Sequence, residues 1–124
     1  MLDRRLFIAS LAAVVALPKG AFANPTGTFS GRSNHVTTGS VTIVTEGGET
    51  FVDLGADFTL DRAPDPIVGL GNGTYDPATF MGELASKRGA QRYKVPAGVD
   101  ASKYSEVYIW CRAADVPLGI ASLK

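Results

Sequence analysis

Short runs of β-branched and aromatic residues, broken roughly every ten residues by glycine or proline, most narrow what this chain can become. The runs are Gly39–Thr45, Thr50–Leu54, Asp57–Leu60, Ile67–Leu70, Gly89–Pro96, Val107–Cys111 and Val116–Leu123. None is followed by an apolar stripe of helical period long enough to cross over a sheet, so neighbouring strands must pair antiparallel. With 14 glycines and 7 prolines to make turns in 124 residues, the pattern predicts an all-β domain. A single antiparallel β-sandwich or flattened barrel of about seven or eight short strands fits it.

Val107-Tyr108-Ile109-Trp110-Cys111 is the most strand-like stretch and holds the only cysteine and the only tryptophan. Alternation puts Val107, Ile109 and Cys111 on one face, with Tyr108 and Trp110 on the other. A strand apolar on both faces belongs inside its sheet rather than at an edge. Gly47-Gly48 between two β-branched runs predicts a hairpin, and Ala63-Pro64-Asp65-Pro66 a rigid turn. Asn24–Asn34, with Phe29 its only large apolar residue, is expected to be an extended lead-in. Ala78–Leu84 is expected to be irregular or a short strand, and a helical turn is expected to begin near Asp100. The expected inward set is Val41, Ile43, Phe58, Ile67, Val107, Ile109, Leu118 and Ile120.

Residues 1–23 have the form of an export signal: Arg4 and Arg5, an apolar run from Leu6 to Leu17, then Ala21-Phe22-Ala23 as a cleavage site. Arg4-Arg5-Leu6-Phe7-Ile8 resembles a twin-arginine motif. The run falls short of the roughly 20 residues a membrane span needs, so no permanent span is expected after cleavage. The mature domain, residues 24–124, is expected in the periplasm or secreted. Acidic and basic residues balance at 12 each, without the basic clustering that nucleic acid requires.

One cysteine excludes an internal disulfide and paired-cysteine zinc sites. One histidine, His35, excludes a blue-copper set of two histidines and a cysteine. The Cys-x-x-Cys-His attachment motif is absent, which leaves noncovalent haem as the only haem binding open to the chain. Asp57, Asp61 and Asp65 recur every four residues without the loop of a calcium site and read as turn formers. No metal site is expected. Cys111 therefore carries two readings. Buried free cysteine usually packs as a small hydrophobe, whereas an unpaired thiol outside the cytoplasm needs protection, ligation or a redox task.

A family resemblance adds to this. His35 with Gly39, Phe58 with Ala63-Pro64-Asp65, Gly89-x-Gln91-x-Tyr93-x-Val95-Pro96, and Val107-x-Ile109-Trp110-Cys111 followed by Gly119-x-Ala121 resemble the DM-thirteen domain of the animal Skeletor proteins. Ala114 and Pro66 depart from that pattern, where an aromatic and an aliphatic residue are usual. The resemblance implies a small extracytoplasmic β-domain with an electron-transfer or redox accessory role rather than a stand-alone enzyme. It implies Cys111 as the redox, catalytic or cofactor-contacting group and a periplasmic redox protein as partner. From the residues themselves, His35, unique like Cys111, is the candidate for a thiolate-imidazole pair or a two-point cofactor ligation with it, and Trp110 is a neighbouring candidate contact. The competing reading is a non-catalytic binding or structural module with a packing cysteine.

Overall fold

The computed structural model describes residues 24–124; the expected export signal at 1–23 lies outside the described residues. The strands are β1 Thr26–Gly31, β2 Thr37–Thr38, β3 Ser40–Glu46, β4 Glu49–Leu54, β5 Thr59–Leu60, β6 Pro66–Gly71, β7 Tyr75–Asp76, β8 Gln91–Lys94, β9 Glu106–Cys111 and β10 Val116–Ser122. Two single-turn 3₁₀ segments, Pro77–Thr79 and Ala101–Lys103, interrupt them. Eight strands form one antiparallel sheet in the order β7-β6-β9-β10-β1-β3-β4-β8, curled into a half-barrel, and β2 pairs with β5 as a separate ribbon. The all-β antiparallel expectation holds. Among the described residues no helix is long and apolar enough to cross a membrane.

Local chemistry accounts for the joints. Gly47 and Gly48 take φ of 57° and 80°, the double left-handed turn that matches strand twist and that other residues resist. It sets the β3–β4 register from Glu46↔Glu49 to Val41↔Leu54. Asp100 caps the second 3₁₀ turn by accepting the Ser102 N–H at 3.0 Å, as its position before a helical turn suggests. The first 3₁₀ turn falls at the start of the stretch expected to be irregular, and the chain after it runs along β6, with the Met81 N–H donating to the Val68 carbonyl at 2.9 Å, the Val68 N–H to the Gly82 carbonyl at 3.1 Å and the Leu84 N–H to the Pro66 carbonyl at 2.8 Å around an Ile67↔Glu83 bridge.

The inside of the curl holds the core. Val41, Val107, Ile109, Leu118 and Phe58 are fully buried there with Ile43, Val52, Leu54, Val68, Leu70 and Cys111. Phe29 meets Phe58 edge-on at 5.5 Å, which ties β1 to the chain leading into the ribbon.

Three expectations are corrected. Asn24–Asn34 is not a lead-in: β1 lies inside the sheet between β10 and β3. Its alternate residues Thr26, Thr28 and Ser30 face outward and are exposed, so only Phe29 shows an apolar signal. Ile67 is 1% exposed, yet it belongs to the outer face, because its neighbours Val68 and Leu70 take the inward positions of β6. Ile120 also points outward. A bulge shifts the β9–β10 register between Ile109↔Gly119 and Trp110↔Pro117, and the extra residue puts both Leu118 and Ala121 inside, three positions apart. The bulge is held from outside the pair: the Leu118 carbonyl accepts the Arg32 N–H at 3.0 Å and the Thr37 Oγ1–H at 2.8 Å.

Candidate functional site around Cys111 and Trp110

β9 is paired along its length, to β6 on one side and β10 on the other. As the alternation predicts, Cys111 enters the core at 2% exposure while Trp110 lies on the outer face. The Cys111 backbone is well held: its carbonyl accepts the Asp115 N–H at 2.7 Å and closes the turn into β10. Its thiol makes no hydrogen bond among the described residues. The next residue, Arg112, directs its guanidinium to Asp65, donating from Nε at 3.0 Å and Nη2 at 3.1 Å, and to Glu83 at 3.2 Å. That cation is committed to carboxylates rather than to the thiol.

His35 sits in the loop between β1 and β2, after Ser33 and Asn34 at φ of 58° and 64°. Its Nδ1 lies 2.9 Å from Asp61 Oδ1. The same carboxylate accepts the Val36 N–H at 2.8 Å and the Arg62 N–H at 2.6 Å. The Val36 N–H above all, then His35, hold the Asp61 carboxyl down at about 2. His35 and Cys111 share no hydrogen bond, so the structure does not join these two unique residues. Asp57 accepts from Ser40 N–H and Oγ–H, both at 2.9 Å, and Asp65 holds Arg112. Among the described residues no group of three metal-ligating side chains forms.

The aromatic residues of the outer face assemble around Trp110. Its ring centroid is 5.3 Å from Tyr75, tilted by 32°, and 6.2 Å from Tyr108 at 66°, within the range where aromatic pairs attract. Tyr108 is 1% exposed and donates to Glu106 Oε1 at 2.7 Å; burial and that carboxylate push its hydroxyl well above the ordinary tyrosine range. The Tyr75 ring packs against Gly69, where an added Cβ would come within 2.2 Å of it. Phe80 completes the wall, 41% exposed, with the Arg112 guanidinium 5.5 Å from its centroid. Sequence reasoning missed Tyr75, Phe80 and Ile67. Gly69 was the available signal, since a bare position between Val68 and Leu70 invites a ring from elsewhere.

The family model described as Electron transfer DM13 matches residues 28–123, nearly the whole described domain. The chain belongs to that family. No curated protein and no solved structure matches it. Noncovalent haem, the one haem binding left open by the sequence, does not fit at Cys111: the thiol is packed among core side chains, and a porphyrin there would have to open the sheet.

Proposed function

We propose that this DM13 domain is an exported electron-transfer accessory module in which Cys111 is the redox group and Trp110 its outlet to the surface. One observation carries the reading: the chain's single cysteine lies one peptide unit from an indole that belongs to an aromatic cluster on the opposite face of the same strand. A thiol buried at 2% is shielded from solvent oxidants, so electrons reach it through protein, and the β9 backbone to the Trp110 ring is a short covalent route. The partner is a redox protein of the same compartment. Export rests on Arg4-Arg5 and Ala21-Phe22-Ala23, and Arg4→Lys with Arg5→Lys is expected to hold the precursor in the cytoplasm if the twin-arginine route is used. Unchanged export would leave the ordinary secretory route.

A second reading, a passive binding module with a packing cysteine, draws on the same burial. Forming thiolate needs a nearby cation or donor, and both Arg112 and His35 are engaged with carboxylates. Thiol labelling of the folded protein across pH, together with redox titration of wild type, Cys111→Ala and Trp110→Phe, separates the two. Electron transfer predicts a redox wave that is lost in Cys111→Ala and slowed in Trp110→Phe. Labelling only after unfolding, with a Cys111→Ala variant indistinguishable in redox behaviour and partner binding, replaces it with the passive module.

A further inference from the structure

We propose that the cleft formed by Tyr75, Phe80 and Trp110 binds a quaternary ammonium cation, independently of any redox role of Cys111. The cleft has a volume of about 410 Å³, within the size range of small-molecule sites, and its floor is Ile67 with Pro77 at one side. Three aromatic rings converge on it, one of them 41% exposed. Phe80 is one of two large hydrophobic side chains exposed among the described residues, and it stands beside two further rings in the same cleft.

The charges around the rings select the ligand. Arg112 is the cation at the rim, and it is outnumbered: Asp65 and Glu83 both bind it, and Asp115 lines the same cleft. Among the described residues the Asp115 carboxylate has neither a hydrogen bond nor an ion pair, while its backbone N–H is anchored to the Cys111 carbonyl at 2.7 Å. The rim is therefore net negative, with one uncommitted carboxylate. An anion is disfavoured, and a neutral apolar ligand would leave that charge unused. The Arg112 guanidinium lies 5.5 Å from the Phe80 ring centroid, so a cation is already accepted over the one ring whose face is defined at this cleft. A primary ammonium would need three acceptors, and the cleft supplies one uncommitted carboxylate. A methylated ammonium has no N–H to satisfy and fits aromatic walls beside a single negative charge.

Choline chloride is the probe, titrated at constant ionic strength and followed by the fluorescence of the single tryptophan and by the ligand N-methyl proton line. The expected result is a saturable change with an upfield N-methyl shift from the rings. The uncharged carbon isostere 3,3-dimethylbutan-1-ol is expected to produce neither. Phe80→Ala and Asp115→Asn alter exposed side chains and are expected to leave the fold intact while each weakens binding by roughly three-fold or more. Equal binding of the neutral isostere, a titration that does not saturate, or wild-type affinity in both variants would each overturn the proposal.

Discussion

Replacing Cys111 by alanine and by serine tests what surrounds the thiol. The side chain is 2% exposed inside the core and has no hydrogen-bond partner among the described residues. Alanine removes one buried sulfur, comparable with a methylene at about 0.8 kcal/mol of transfer free energy. A void of roughly 25 Å³ then adds about 0.6 kcal/mol at the cavity coefficient. β9 is laddered on both sides, so the sheet cannot close onto the gap, and a total loss of about 1–2 kcal/mol is expected. Serine nearly preserves volume but buries a hydroxyl without a partner, a penalty of about 1–3 kcal/mol. Its loss should exceed that of alanine. Guanidinium unfolding followed by Trp110 fluorescence measures both, since the one tryptophan is the neighbouring residue. A serine variant as stable as wild type, or more stable than alanine, would mean that position 111 offers a hydrogen-bonding environment. The argument that the thiol is simply packed would then collapse, and the case for a thiolate would strengthen.

Ile109→Ala removes a side chain with 0% exposure and is expected to cost about 2–5 kcal/mol, whereas Ile120→Ala, on the outer face, should cost clearly less; equal losses in denaturant unfolding would contradict the bulge parity. Gly69→Ala puts a methyl against the Tyr75 ring and Thr79 Oγ1, so a loss of about 1–3 kcal/mol with altered Trp110 emission is expected, and an unchanged spectrum would show that Tyr75 does not rest there. The Asp61 carboxyl, held at about 2 against an ordinary value of about 3.9, contributes stability that is fully present above the ordinary value and is lost as pH falls toward 2. Because the Val36 N–H is the largest cause, carbon-13 titration of His35→Ala should find the Asp61 value raised yet still below the ordinary one, and a full return would make His35 the main anchor.

What the sequence by itself determined is what depends on neighbours along the chain. Alternation within Val107–Cys111 separated Cys111 from Trp110, and Gly47-Gly48 specified a tight left-handed turn. Asp100 announced its capped turn, and the absence of helical stripes left antiparallel strands as the architecture. Tertiary structure alone decided what depends on pairing between distant segments. β1 became an inner strand because β10 and β3 supply its ladders, although half its side chains face water and only Phe29 is strongly apolar. Ile120 turned outward because a bulge shifts register by one residue and so exchanges the faces, an event encoded by neither isoleucine nor its neighbours. Tyr75 and Phe80 reached Trp110 because β7 and the turn after it fold back over β6, bringing rings some thirty residues away onto one face. Side-chain period is a local property, whereas strand order, register and the rings that meet across a sheet are fixed only when the whole sheet closes around its core.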